Sequence, residues 1–296
     1  MAARLSEWGV PNVMLGGTTG ESVSLSSAER LEVVKAWMPI AKKHNLNVYV
    51  HVGMNSQFEA RELARAVGAI DGVKGILSMG PTYFKPSTAE ALVDTISVIA
   101  GGAPHLPFWY YHFPAMTDIP VNMFDFIREA DKTQKMPNLM GIKFTNELIM
   151  DFNQIGNFKN KKYNMLMGRD EIFTSALTTG VADGGVGSTL NFMSYNIPMR
   201  ELYMSGDQHK KAEADARQLQ TIAVIQAWKD IAGSVNPQKA ILKMTGIDFG
   251  PMRVPNGNLT HEQEMQLGTA LHKIGVNITD EYIIKDTPEY NEIDFL

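Results

Sequence analysis

Seven short apolar runs, each followed by a stretch with helical periodicity, constrain the fold of this chain more than any other feature. The runs begin at Asn12, Asn47, Gly75, Phe108, Leu139, Tyr163 and Asp183. Runs that are apolar on both faces are typical of parallel strands covered by helices, so this alternation predicts an α/β fold. Ser26 followed by Glu29 predicts a capping box at the start of the helix after the first run. From about residue 200 the strand pattern stops, and helical patterns continue with breaks at Gly233, Pro237 and GPMRVPNGN.

Two α/β architectures accommodate this alternation, an open doubly wound sheet and a (β/α)8 barrel. The open sheet usually carries a G-x-G-x-x-G turn between a strand and a helix, and this sequence has none in such a position. We therefore predict a TIM (β/α)8 barrel over residues 1–205 and a C-terminal helical extension over residues 206–296. Because the chain opens inside a helical stretch before the first run, the first barrel strand is expected to be missing.

Charge, cysteine and histidine content exclude several classes of function. The net charge is −5, from 27 basic and 32 acidic residues, and the densest basic cluster is Lys159, Lys161 and Lys162. This cluster does not supply the cationic stripe that a nucleic-acid groove needs, so no nucleic-acid partner is predicted. The absence of cysteine excludes disulfides, thiolate catalysis and cysteine-ligated zinc. His51 and His112 lack metal-ligand spacing, so no metal site is predicted.

The N-terminal and least charged segments predict neither secretion nor membrane insertion. The opening residues MAARLSEWGV have no apolar signal-peptide core. Residues 95–117 contain no Asp, Glu, Lys or Arg, but prolines and a pair of glycines interrupt them, so they cannot form a continuous apolar helix. We therefore expect a cytoplasmic protein without a membrane partner.

The lysine at the end of the run LMGIKFT is the strongest candidate for covalent chemistry. In an α/β barrel the reactive residues collect at the carboxyl ends of the strands, and Lys143 stands there between Ile142 and Phe144. Burial lowers the pKa of a lysine, and the free amine can then attack a ketone to form a Schiff base. A strand-end lysine paired with a carboxylate is the alternative. Strand alternation puts Lys143 and Thr145 on one face.

Two other strand ends carry groups that suit the same reaction. In FWYYHFPAMT, Tyr111 offers a phenol that can relay a proton beside an imine, although a core tyrosine explains it equally. In GGTTGES, Gly16 and Gly17 let backbone amides approach a ligand, while Thr18 and Thr19 add hydroxyls. This combination suits a small carboxylate, with a structural Gly-rich turn as the alternative.

Acidic residues and glycines follow the last two runs. Asp170 and Glu171 in GRDEIF stand where acidic side chains favour a helix N-terminus, and they can also accept hydrogen bonds from a polyhydroxyl substrate. In DGGVGSTLN, Gly187 and Ser188 either hold a ligand against bare backbone or serve the turn itself.

Five motifs, in their order and spacing, resemble a known family. They are GGTTGES, YYHFPAMT, GIKFT, GRDE and DGGVGST. The family is that of the pyruvate-dependent class I aldolases, which includes dihydrodipicolinate synthase and N-acetylneuraminate lyase. The resemblance extends to PQKAILKMTGIDFGPMRVP in the C-terminal part and favours the lyase branch. It implies a TIM barrel with a helical extension, no metal or organic cofactor, and a homotetramer built as a dimer of dimers.

The resemblance also implies roles for individual residues. Lys143 would form the Schiff base with pyruvate, and Tyr111 would move the proton at the substrate hydroxyl. Thr18 and Thr19 would hold the pyruvyl carboxylate, and Tyr83 of PTYFKP would approach the catalytic tyrosine of a neighbouring subunit. The sugar end of the substrate would be lined by Thr145, Gly168, Asp170, Glu171, Gly187 and Ser188.

One position bears on the choice of substrate. In the synthase branch an arginine shortly after the Y-x-x-P tyrosine grips a second carboxylate, whereas here the segment reads PAMT with Met116. We therefore expect a lyase that cleaves N-acetylneuraminate, a sialic acid, reversibly to N-acetylmannosamine and pyruvate. The alternatives are a related aldolase or dehydratase acting on another 2-keto sugar acid, and a catalytically silent barrel that binds sialic acid.

Overall fold

A computed structural model describes residues 1–233 and 237–284, and its sheet confirms the predicted strand alternation. Seven parallel strands lie side by side in chain order, and each coincides with one of the seven apolar runs. They are β1 (Asn12–Leu15), β2 (Asn47–His51), β3 (Val73–Ser78), β4 (Phe108–His112), β5 (Leu139–Phe144), β6 (Asn164–Met167) and β7 (Gly184–Gly185). Sequential parallel order is that of a (β/α) barrel, and no eighth strand is present among the residues described.

Helices connect the strands and continue beyond the last one. They are α1 (Ala2–Glu7), α2 (Ser27–Lys43), α3 (Gln57–Gly68), α4 (Ala89–Ala100), α5 (Pro114–Thr117), α6 (Met123–Thr133), α7 (Ile149–Gly156), α8 (Phe173–Thr178), α9 (Met199–Met204), α10 (Gln208–Ala232), α11 (Gln238–Met244) and α12 (His261–Ile274). The predicted capping box of Ser26 and Glu29 begins α2. In the part of the chain that is described, no helix combines the length and the apolar character needed to cross a membrane.

The strands are apolar on both faces because side chains on both faces of the sheet are buried. All five residues of β4 are buried. On the helix side, the Tyr110 ring lies 4.7 Å from that of Phe126 on α6, and the Phe144 ring lies 5.5 Å from that of Phe152 on α7. Since side chains alternate along a strand, the residues next to Tyr110 and Phe144 point to the opposite face of the sheet. Burial of aromatic side chains therefore fixes which face carries the candidate site.

The register of β5 depends on a glycine. Lys143 lies opposite Tyr111 on β4 and opposite Leu166 on β6. Two residues earlier, a β-carbon on Gly141 would overlap the backbone carbonyl oxygen of Asn164. Only glycine therefore lets β6 approach β5 closely at this point.

The chain divides into two compact units. Residues 2–187 form one, and residue 1 with the described residues from 188 onward forms the other. Within the second unit, α10 ends at Ala232 and α11 begins at Gln238, which agrees with the breaks predicted at Gly233 and Pro237. Its core includes Val224, Ile241, Leu242, Met244, Leu267 and Leu271. Of the predicted extension over 206–296, residues 234–236 and 285–296 lie outside the residues described.

The close approach at Gly141 predicts a large loss of stability on adding one methyl group. We expect Gly141→Ala to lower the free energy of unfolding by about 3 kcal/mol or more, since the clash is with backbone. The control is Gly184→Ala on β7, where a β-carbon meets only Leu166 Cδ2 at 3.8 Å. That change is expected to cost less than about 1 kcal/mol. Urea denaturation of both variants measures the difference, and equal stabilities would contradict the proposed constraint.

Candidate active site

Lys143 is buried at the carboxyl end of β5 without a counter-ion. Its side chain is 5% exposed, and its Nζ lies 3.9 Å from the centroid of the Tyr111 ring. The same Nζ is 3.9 Å from Sδ of Met14 on β1. Nowhere in residues 1–233 and 237–284 does a carboxylate form an ion pair with this lysine, so a strand-end salt bridge does not account for it. Its Nζ instead lies over the face of the Tyr111 ring.

Tyr111 lies between the lysine and the turn that follows β1. Its ring is stacked against Phe113 at 5.8 Å and meets His51 edge-on at 5.8 Å. Its hydroxyl is 3.5 Å from Oγ1 of Thr18. The structure therefore brings three predicted residues, Lys143, Tyr111 and Thr18, into one cluster.

The GGTTGES turn carries backbone donors next to this cluster. Gly16 has a φ of 67°, in the left-handed region that glycine adopts without strain. Thr18 and Thr19 are half-buried, and in the described part of the chain their backbone N–H groups donate to no acceptor. Adjacent N–H groups of this kind form a site suited to an anion.

A second group of predicted residues follows β5 and β6. Thr145 is buried, and its Oγ1 has no hydrogen-bond partner among the residues described. Gly168 faces it, since a β-carbon there would overlap Thr145 Oγ1 and lie 3.3 Å from Lys143 Cε. Asp170 begins a 3-10 turn, Asp170–Ile172, and a β-carbon on Gly187 would overlap its carboxylate. The two glycines therefore let Thr145 and Asp170 lie against the backbone that follows β6 and β7.

Arg169 is a residue of this region that the sequence did not identify. Its guanidinium contacts Glu147 and lies 3.1 Å from the carboxylate of Glu171. Because both carboxylates are held by one cation, Glu171 has a fixed orientation after β6. The signal in the sequence is only an arginine next to two acidic residues in GRDE, which equally describes a solvated turn.

Tyr83 is not brought to the cluster in the described part of this chain, and Ser188 belongs to the other compact unit. Tyr83 is 78% exposed, and its ring meets only that of Phe84, at 4.9 Å and edge-on, in the part of the chain described. Ser188 begins the second compact unit, where it precedes the 3-10 turn Thr189–Asn191. Their roles stay predictions.

His51 and Arg30 are buried polar residues beside the cluster that the sequence did not single out as functional. Imidazole Nδ1 lies 3.0 Å from the carbonyl oxygen of Gly16, and the backbone N–H of Met79 donates to Nε2 at 3.2 Å. Arg30 on α2 donates to the carbonyl oxygens of His51, at 2.6 Å, and Gly53, at 3.1 Å. Burial, with the charges of Arg30 and the nearby lysine, lowers the pKa of His51 from 6.5 to about 3.

Residues 1–233 and 237–284 contain no group of three or more His, Asp or Glu side chains arranged to hold a metal ion.

His112, on the helix side of β4, makes the stability of the fold depend on pH. Burial lowers its pKa from 6.5 to about 4. The unfolded chain binds a proton at this residue below about pH 6.5 while the folded chain stays neutral, so stability falls as the pH decreases through this range. We expect wild type to lose about 2 kcal/mol more free energy of unfolding than His112→Gln between pH 7 and pH 5. Urea denaturation at both pH values measures this, and parallel losses would contradict it.

Comparisons with known proteins identify the family of this chain. The model of the Dihydrodipicolinate synthetase family matches residues 4–274. The N-acetylneuraminate lyase of Mus musculus is 34% identical over 260 residues, which are 87% of this chain and 79% of that protein.

Two solved structures share the fold. The Proteus mirabilis N-acetylneuraminate lyase superposes with a TM-score of 0.84 at 30% identity, covering 93% of this chain and 90% of that chain. The dihydrodipicolinate synthase (DHDPS) from Cyanidioschyzon merolae with lysine bound has a TM-score of 0.83 at 27% identity, with 93% and 90% coverage. The predicted (β/α) barrel with a helical C-terminal part is confirmed.

Proposed function

Because the chain belongs to the dihydrodipicolinate synthetase family, we propose that it is a pyruvate-dependent class I aldolase of the N-acetylneuraminate lyase type. It cleaves N-acetylneuraminate reversibly to N-acetylmannosamine and pyruvate. The observation that carries this proposal is the buried amine of Lys143, 3.9 Å from the Tyr111 ring centroid and unpaired with any carboxylate in the described residues. A lysine that forms a Schiff base attacks the ketone with its side-chain nitrogen, so this nitrogen must face the substrate rather than a carboxylate.

The covalent step begins at the ketone of the opened sugar acid. Lys143 Nζ adds to C2, water leaves, and a protonated imine forms. The C3–C4 bond then breaks, its electron pair moves toward the imine to give an enamine, and the C4 hydroxyl loses its proton to become the aldehyde of N-acetylmannosamine. Protonation of the enamine at C3 and hydrolysis of the imine release pyruvate and restore the amine.

Tyr111 moves the proton in this scheme. Its oxygen accepts the proton of the C4 hydroxyl as the C3–C4 bond breaks, while its own proton passes to Thr18 Oγ1 and the threonine proton passes to the bound carboxylate. The relay then runs in reverse and delivers the proton that the enamine takes at C3. The 3.5 Å distance from its oxygen to Thr18 Oγ1 supports this role, since the threonine hydroxyl can accept the phenolic proton and donate in turn.

The turn after β1 holds the pyruvyl carboxylate. The N–H groups of Thr18 and Thr19 donate to no acceptor in the described chain, and their side-chain hydroxyls supply two further donors. A carboxylate bound there stands beside Tyr111 and directs the adjacent carbonyl carbon toward Lys143.

The sugar end is bound by the residues after β5, β6 and β7. The buried Thr145 Oγ1, without a partner in the described residues, supports a substrate hydroxyl at this position. Asp170 and Glu171 accept hydrogen bonds from further hydroxyls, and Ser188 contributes its own hydroxyl. Met116, 54% exposed, stands in place of the arginine that would grip a second carboxylate, which favours a polyhydroxyl substrate.

Assembly completes the site in this proposal. Tyr83 and Phe84 form an aromatic pair, 78% and 84% exposed, that a second copy of the chain would cover. The active form is a homotetramer in which Tyr83 approaches the Tyr111 phenol of a neighbouring subunit. No metal or organic cofactor takes part.

Borohydride trapping tests the Schiff base. With pyruvate and borohydride, we expect a carboxyethyl adduct on the peptide that contains Lys143, because reduction makes the imine permanent. Lys143→Met should abolish both the adduct and pyruvate release, while Lys74→Met, which removes an exposed lysine on β3, should change neither. Peptide mass mapping locates the adduct, and an unmodified Lys143 in the wild type would end the proposal.

A phenylalanine substitution separates proton transfer from imine formation. We expect Tyr111→Phe to lower kcat for cleavage about 100- to 1,000-fold while the trapped adduct persists, since only the phenolic oxygen is lost. Tyr110→Phe is the matched control, because this neighbour on β4 packs against α6. Steady-state assay of pyruvate release measures both, and equal kcat values would remove Tyr111 from the mechanism.

A substrate panel distinguishes the alternative functions. Pyruvate release from another 2-keto sugar acid but not from N-acetylneuraminate would assign a related aldolase or dehydratase. Sialic-acid binding without release or trapping would assign a silent binding barrel.

A further inference from the structure

We propose that His51 and Arg30 are positioning residues for pyruvate, which hold the GGTTGES turn and the Tyr111 ring in register; this inference rests on the proposed function. Neither residue touches the substrate in this scheme. His51 acts through the carbonyl oxygen of Gly16 and the ring of Tyr111, which lies beside Lys143. Arg30 acts through the carbonyl oxygen of His51.

His51 links three neighbouring parts of the sheet. It is the last residue of β2, and its Nδ1 lies 3.0 Å from the carbonyl oxygen of Gly16 in the turn after β1. Its Nε2 accepts the backbone N–H of Met79, which follows β3, at 3.2 Å. An N–H donor can only meet an unprotonated Nε2, so Nδ1 carries the hydrogen and donates to Gly16. The side chain therefore acts as a neutral imidazole of one tautomer.

Arg30 holds the backbone at this histidine and two residues after it. It is 5% exposed and donates to the carbonyl oxygens of His51 and Gly53, where β2 leads into the next loop. In the part of the chain described, no carboxylate pairs with it. Its Nη2 lies 3.5 Å from His51 Nδ1, so its charge disfavours protonation of the imidazole. A buried arginine that donates to two carbonyl oxygens thus keeps the neutral tautomer in place.

The histidine also fixes the ring that faces the lysine. Tyr111 is bracketed by the edge of His51, at an interplanar angle of 88°, and by Phe113, at 24°. Gly16, which His51 holds, lies two residues before Thr18, whose hydroxyl is next to the Tyr111 hydroxyl. One side chain therefore sets the distance between the carboxylate-binding turn and the proton-transferring phenol.

This positioning role predicts that loss of His51 raises the KM for pyruvate. Loss of the His51–Gly16 hydrogen bond frees the turn and weakens binding of pyruvate, while Lys143 remains in place on β5. A merely structural role would instead lower the amount of folded enzyme, and thus apparent kcat, at unchanged KM.

Two substitutions at one position test this. In His51→Asn, the amide nitrogen takes the place of Nδ1 and retains the donor to Gly16, whereas His51→Leu removes it. We expect His51→Leu to raise the pyruvate concentration for half-maximal borohydride trapping, and the pyruvate KM in synthesis, about 10-fold or more. His51→Asn should restore both to within about threefold of wild type. His112→Asn, another buried histidine on the helix side of β4, is the control and should leave both values unchanged.

The outcomes separate this inference from the function on which it rests. No trapping in the wild type would overturn the proposed function, and this inference with it. Trapping in the wild type with an unchanged KM in His51→Leu, or an equal rise in His51→Asn, would overturn the inference alone. Should His51→Leu fail to fold, ¹⁵N NMR of the wild-type imidazole decides: a neutral Nδ1–H tautomer at pH 7 supports the inference, and an imidazolium or the Nε2–H tautomer overturns it.

Discussion

The parallel pairing of β4 with β5 is the interaction on which the candidate site depends. It sets Tyr111 opposite Lys143, so that an amine and an aromatic ring share one buried face without any helix or loop to bring them there. The opposite face supplies the reason for the register, because its aromatic side chains pack against α6 and α7. Slipping β5 by one residue would put Lys143 among those rings and remove it from Tyr111. The register of β5 therefore determines both the packing of the core and the geometry of the site.

Glycine defines how closely the other strands approach this pair. Gly141 lets β6 lie against β5, and Gly168 and Gly187 let the side chains of Thr145 and Asp170 lie against the backbone. Thr145 Oγ1, which has no hydrogen-bond partner among the described residues, can bond a ligand hydroxyl. The polar side chains of this region are therefore held in place by positions that carry no β-carbon.

The sequence predicts the sheet well because burial on both faces makes each strand a short continuous run of apolar residues. All seven runs are strands, and the helical breaks at Gly233 and Pro237 lie between α10 and α11. Lys143 stands out because a lysine is rare in such a run. Arg30 and Arg169 do not stand out, because their partners are backbone carbonyls or acidic residues that only the folded chain brings near. Tyr83 shows a further limit, since its exposed ring meets only the neighbouring Phe84 ring in the residues described.

His51, at the end of β2, connects this strand to the segments that follow β1 and β3, and this connection affects the affinity for a ligand. The turn after β1 is tied through Gly16 to a side chain that is itself anchored to Met79 and to Arg30. A loop held in this way is as rigid as the sheet, so it loses little conformational entropy when a ligand binds. A small ligand with few atoms can gain only a modest interaction energy, and such preorganisation lets that energy appear as affinity.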